Sequence, residues 1–218
     1  MARESFKDKR ERALSIESKL FDIYGGANCA LLYWNDPFKL TIAVMLSAQT
    51  TDKLVNKVTP VLWEKYPTIE SLSNARVADI ENILHSIGLY KTKAKRVVDI
   101  AKDVMIKFGG HVPNNMDALQ TLPGVGRKTA NIVMNEGFGQ ACGIAVDTHV
   151  FRIAHKLKLV PNTADTPDKT ERVLLKLFPE TIWGNINHEW VLFGRQTCIA
   201  RNPKCDACPV RELCPSKN

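Results

Sequence analysis

Apolar residues recur at three- and four-residue spacing along most of the chain, the period of a helix with one buried face. Ile16, Leu20 and Ile23 form one such stripe near the N-terminus. Asp36-Pro37 reads as a helix start, a capping side chain followed by proline at the first helical position. It opens a helix over Phe38–Gln49 whose middle (Leu40, Ile42, Ala43, Val44, Met45, Leu46) is apolar all round, which predicts burial on every side. The same period predicts helices over Thr51–Tyr66, Arg76–Ile87, Lys91–Phe108, Met116–Thr121 and Arg127–Glu136. Further on it predicts Asp147–Leu159, Pro167–Phe178 and Asn187–Thr197. No run alternates apolar and polar residues between hairpin signals, as a half-buried strand would. Gly109–Asn115 and Val160–Thr166 are punctuated by Pro, Gly and Asn, but neither has the composition of a flexible linker. The pattern predicts a compact all-α protein with short connections.

Composition narrows the class. A chain of 218 residues with 44% hydrophobic and 24% charged residues can bury a core and is not disordered. No apolar run approaches the roughly 18 residues that span a bilayer, so no membrane-spanning segment is expected; no membrane is expected among the partners either. Met1–Arg12 is a mixed-charge tract without an apolar segment, so no secretory signal is expected and a reducing compartment is. The net charge of +7 permits a polyanionic partner. Two zones concentrate it. Lys91, Lys93, Lys95, Arg96, Lys102 and Lys107 face only Asp99 and Asp103 nearby, and Arg195, Arg201, Lys204, Arg211 and Lys217 face only Asp206 and Glu212.

The most informative string is Leu122-Pro-Gly-Val-Gly-Arg-Lys128. Gly124 and Gly126 allow a tight turn between two helices and close approach of another backbone. Amides of Gly124, Val125, Gly126 and Arg127 are expected to face outward, where a phosphate fits with help from the helix dipole. An ordinary helix–helix turn with a glycine cap is the alternative. The longer string LPGVGRKTA resembles the helix-hairpin-helix DNA-binding motif. Lys128, just inside the second helix, could contact phosphate or act as a nucleophile. An amine must be neutral to attack, and near pH 7.5 only about one free lysine in 10³ is neutral. Partial burial and the positive end of a helix would both raise that fraction. Asp147, in Ala145-Val-Asp-Thr-His149, is positioned to cap a helix. A carboxylate fixed there stays ionised and could stabilise a cationic, sugar-like transition state or activate the lysine.

Cys198, Cys205, Cys208 and Cys214 follow the spacing C-x6-C-x2-C-x5-C, while Cys29 and Cys142 are isolated. In a reducing compartment such a cluster reads as a set of metal ligands. Zinc and an iron–sulfur cluster both fit four thiolates. Zinc sites with four cysteines usually show two C-x-x-C pairs, and here there is one.

Taken together, LPGVGRK with Lys128, VDTHV with Asp147 and the cysteine spacing resemble the endonuclease III family of bifunctional DNA glycosylases. The likeness extends through Leu46-Ser-Ala-Gln-Thr-Thr-Asp52 and Ile87-Gly-Leu-Tyr90, and so from about Asp36 to Cys214. It implies a two-lobed helix-hairpin-helix fold. Residues 30–142 would form a six-helix domain with the hairpin at about 116–137, and 1–29 with 143–218 a [4Fe–4S] cluster domain built from both termini. It implies removal of oxidised pyrimidines from double-stranded DNA, followed by strand cleavage at the abasic site. Lys128 would attack the sugar, Asp147 would assist, and the four cysteines would hold a structural [4Fe–4S] cluster. Gln49 and Leu89 would fill the stack vacated by the extruded base, and Arg201 and Lys204 would reach the DNA backbone. The chain departs from the family at Gln120, where some members carry a carboxylate. A monomer is expected, cytoplasmic and nucleoid-associated if the source is bacterial or archaeal. The related adenine glycosylases typically lack the nucleophilic lysine, carry an early glutamate and have a further C-terminal domain. This chain has Lys128, has LSAQTTD where that glutamate would lie, and stops soon after Cys214. A DNA-binding protein without catalysis would need the hairpin but not the pairing of Lys128 with Asp147.

Overall fold

The computed structural model describes residues 4–26, 29–33 and 35–217. In chain order the helices are α1 Phe6–Tyr24, α2 Pro37–Leu46, α3 Asp52–Lys65, α4 Ile69–Ser73, α5 Val77–Leu84 and α6 Tyr90–Phe108. They continue with α7 Met116–Gln120, α8 Arg127–Ile132, α9 Thr148–Lys156, α10 Pro167–Leu177 and α11 Trp183–Gln196. No strand occurs among the described residues. None of the described helices is long and apolar enough to cross a membrane. The chain divides into two compact units: Cys29–Gln140 forms one, and the N-terminal segment joins the chain from Ala141 onward to form the other.

The unit Cys29–Gln140 is organised around α2 and α6. Asp36 caps α2, its Oδ1 accepting from the amides of Phe38 and Lys39 at 3.0 Å each. Every residue from Leu40 to Leu46 is buried, as the all-round apolar pattern requires. One face of α6 buries Ala94, Val97, Val98, Ile100, Ala101 and Val104, and the helix packs on α4 and α5. The six helices expected here are present as α2, α3, α5, α6, α7 and α8. α4 is additional. Its five residues are too short to show a period, but they are held by a capping box in which Thr68 and Ser71 cap each other's backbone. α8 is shorter than expected and passes into a π-helical turn over Val133–Gly137.

In the other unit, α1 packs on α10 and α11, and α9 packs on α11. The buried stripe of α1 is Ala13, Ile16, Glu17, Leu20 and Tyr24. Ile23, expected in that stripe, is 55% exposed. From Leu20 the helical period permits a step of three or four residues. Tyr24 takes the buried place, with its hydroxyl 3.3 Å from Thr197 Oγ1. Glu17 is only 4% exposed, and Trp190 Nε1 of α11 donates to its Oε2 at 2.7 Å.

Candidate functional site

The hairpin lies wholly in Cys29–Gln140. Asn115 caps α7 through bonds from the amides of Asp117 and Ala118, whereas α8 starts at Gly126 without a side-chain cap. The cap position of α8 therefore supplies no acceptor of its own. Gly124 has φ +79°, and the Arg96 side chain lies where its Cβ would be, with Arg96 Cδ 2.8 Å from that point. Gly126 is extended (φ −90°), and a Cβ there would meet nothing within 4 Å. Val125 differs from its neighbours. Its side chain is buried and its amide donates to Leu122 O at 3.0 Å. It therefore pins the turn from inside, and its amide is not the outward donor expected from the sequence. Lys128 occupies the first turn of α8 and is exposed. Gln120 is tied to its own helix, Nε2 donating to Met116 O at 3.0 Å.

Two further turns of this unit come together. Gln49 (φ 55°) and Leu89 (φ 58°) both adopt the left-handed region without being glycine. Both are exposed, Leu89 at 60%, so Leu89 is not a core residue. A Cβ on Gly88 would lie 3.8 Å from Gln49 O, which places the turns in contact. α2 ends at Leu46 and is capped at Ser47, before Gln49 is reached. Thr51 caps α3, its hydroxyl accepting from Leu54 N at 3.4 Å. Lys93, grouped from the sequence with the exposed basic zone, is instead 2% exposed and donates from Nζ to Thr50 Oγ1 at 2.7 Å.

Asp147 lies in the other unit. The buried run Ile144-Ala145-Val146 leads into it, secured by Asn187 Nδ2 donating to Ala145 O at 2.7 Å. Its Oδ1 accepts from the amides of His149 and Val150 at 2.8 Å each, so Asp147 caps α9 and its carboxylate is fixed. α9 sits close on α11 at Gly194, where a Cβ would come within 2.7 Å of His149 Nδ1. Arg152, which no local motif singles out, donates from Nη2 to Cys198 O at 2.8 Å and to Gly194 O at 3.3 Å. It ties the helix that Asp147 caps to the start of the cysteine segment.

Cys198, Cys205, Cys208 and Cys214 line one cavity with Leu157, Phe193 and Val210. Lys156, Lys204, Arg211 and Lys217 also border it. No His, Asp or Glu lines this cavity. Among the described residues, no three His, Cys, Asp or Glu are arranged to hold a single metal ion. Four thiolates on one zinc, with bonds of about 2.3 Å, would converge on a point. A four-iron cube holds its thiolates further apart, and the basic rim offsets its anionic charge. The donor set and the wall therefore fit an iron–sulfur cluster. Burial pushes the Cys198 and Cys208 thiols above the ordinary range. Arg201 and Lys204 are exposed on the Cys198–Cys205 loop, which the Lys204 amide closes onto Thr197 O at 3.0 Å.

Comparison with known proteins covers both units. Residues 42–180 match the HhH-GPD superfamily of base excision DNA repair proteins, and residues 198–214 match the iron-sulfur binding domain of endonuclease III. The chain is 42% identical over 208 residues to endonuclease III of Synechocystis sp., covering 95% of this chain and 94% of that relative. It is 40% identical over 186 residues to endonuclease III of Escherichia coli, covering 85% and 87%. A solved structure described as a trapped endonuclease III–DNA covalent intermediate resembles it with a TM-score of 0.89 at 38% identity, covering 95% of this chain and 96% of that chain. A thermostable thymine-DNA glycosylase, 24% identical with a TM-score of 0.84, shares the fold.

Proposed function

The chain belongs to the endonuclease III family of helix-hairpin-helix base excision DNA repair proteins, and we propose that it excises oxidised pyrimidines from duplex DNA through Lys128 and Asp147. As a member of that family it is a DNA glycosylase and AP lyase. The hairpin turn and the open start of α8 take a phosphate, which orients the backbone beside Lys128. Gln49 and Leu89 enter the stack as the damaged base leaves it, and a damaged base costs less to unstack. The lone pair of Lys128 Nζ forms a bond to C1′ as the bond from C1′ to the base breaks, and the base departs with that electron pair and gains a proton. Sugar opening leaves a Schiff base on Lys128. This acidifies the C2′ proton, whose loss expels the 3′ phosphate, and water then releases the lysine. Lys128 is exposed in the free protein and so open to the extruded nucleoside. Asp147, held in place by two amides, stabilises positive charge as it develops at the sugar. The family's [4Fe–4S] cluster would be held by Cys198, Cys205, Cys208 and Cys214, and it contributes cross-linking of the tail rather than a step at the sugar. Arg201 and Lys204 then meet the backbone on a loop the cluster stiffens, and one chain acts alone.

The observation that carries this reading is the likeness to an endonuclease III trapped covalently with DNA. A covalent intermediate requires a nucleophile, and Lys128 presents an exposed amine beside the hairpin. Borohydride trapping on a duplex containing an oxidised pyrimidine tests it. The wild type should yield a covalent protein–DNA adduct. Lys128→Gln should bind the duplex and yield neither adduct nor free base. Full single-turnover excision by Lys128→Gln would overturn the assignment.

A further inference from the structure

Lys93 is a nearly fully buried lysine that the chemistry above does not use. A methionine of similar length would fill its place without burying a charge, so packing alone does not account for it. Burial, and after it the Arg96 guanidinium, hold its ammonium below the ordinary lysine range. Its hydrogen bonds are informative. The backbone amide makes the first bond of α6, to Leu89 O at 3.0 Å, as any residue at this position would, and this lysine adds the bond from Nζ to Thr50 Oγ1 at 2.7 Å. One residue thereby grips both turns, next to Leu89 on one side and next to Gln49 on the other. Each turn needs gripping. A left-handed non-glycine residue costs roughly 1–2 kcal/mol and persists where its surroundings fix it. Here two stand on touching turns, Gln49 at φ 55° and Leu89 at φ 58°. Leu89 also caps α6 in that conformation with no side-chain bond of its own to help.

We propose that Lys93 is a positioning residue for base extrusion: through Thr50 its ammonium locks the Gln49 turn against the Leu89 turn, so that the two exposed side chains meet the duplex as one preformed wedge. The proposal rests on the reading of Gln49 and Leu89 as the residues that fill the vacated stack. A wedge ordered before contact avoids the entropy of ordering two loops on binding. Lys93 touches neither base nor sugar and acts through the two turns.

The test uses the full-length protein with its cluster and two substrates, a duplex containing an oxidised pyrimidine and a single-stranded oligonucleotide containing an abasic site. Only the duplex needs a wedge. Lys93→Met should slow single-turnover excision from the duplex about tenfold or more, the scale of one hydrogen bond from a charged donor. It should lower the fluorescence rise of a 2-aminopurine beside the lesion, which reports unstacking. Cleavage of the abasic single strand should stay within about twofold, below the energy of such a bond. Thr50→Val, at a partly exposed position, removes the same bond from the other end and should act alike, and the double variant should be no worse than Lys93→Met. Lys93→Arg should recover part of the duplex rate. Equal slowing on both substrates, no slowing, or additive losses in the double variant would overturn the proposal. A wild type that cannot cleave the abasic strand would instead overturn the Lys128 reading, and this proposal would fall with it.

Discussion

At the scale of single residues, Asp147 combines two duties in one carboxylate. Its Oδ1 takes both amides at the start of α9, while in the proposed reaction the charge of the group serves the sugar. The two duties separate by substitution. Asn caps a helix about as well as Asp, whereas Ala loses the cap at a cost of about 1 kcal/mol. Asp147→Asn should therefore melt like the wild type and Asp147→Ala at lower temperature. Both should slow excision by about 10²–10⁴, the scale of lost acid–base assistance. Thermal melts beside single-turnover assays check this, and full activity in Asp147→Asn would reduce the residue to a cap. The strings that hold Lys128, Asp147 and the four cysteines were legible because their spacing is local, and the structure places Asp147 as the cap of α9 and the four cysteines on one cavity. Lys93 was not legible. Charge counting treats all lysines alike, and only the packing of α6 decides which one faces inward. The Val125 amide was misread for a related reason. Its acceptor, Leu122 O, becomes available only when the turn closes.

At the scale of elements, the hairpin assigns different work to its two glycines. Gly124 carries the left-handed φ and gives room to Arg96, while Gly126 is in ordinary extended geometry with open space beyond it. Gly124→Ala should cost about 1–2 kcal/mol of stability through its backbone. Gly126→Ala should change stability by less than about 0.5 kcal/mol, yet weaken binding to undamaged duplex, because the methyl stands where a phosphate would approach. Denaturant melts and salt-resolved binding measure the two effects, and wild-type affinity in Gly126→Ala would remove this face from the DNA. Long periodic helices were readable from sequence because burial repeats along them. α4 and the end of α1 were not. Five residues show no period, and the choice between Ile23 and Tyr24 is made by what α11 and its C-terminal end offer: Thr197 provides a partner for a tyrosine hydroxyl.

At the scale of the whole molecule, the first helix belongs with the last. Glu17 of α1 lies buried with Glu189 and Trp190 of α11. Burial, and after it the neighbouring Glu189 carboxyl, push the Glu17 carboxyl up to about 9. An unfolded glutamate releases its proton near 4.5. Between those values the folded protein holds a proton that the unfolded chain has lost, so stability is greatest below the unfolded value and declines as pH rises toward 9. Glu17→Gln keeps a donor and cannot ionise. Its melting temperature should fall less than that of the wild type between about pH 5 and 9, and parallel curves would place the proton elsewhere. The division of the chain also sets an order of events during synthesis. Cys29–Gln140 is one continuous stretch and can fold as it leaves the ribosome. α1 emerges first but is completed only when α11 has been made. At about 5–20 residues per second, the nascent chain carries Ala13, Ile16, Leu20 and Tyr24 without their final partners for about 10–30 s. Until then α1 is a natural client for a chaperone.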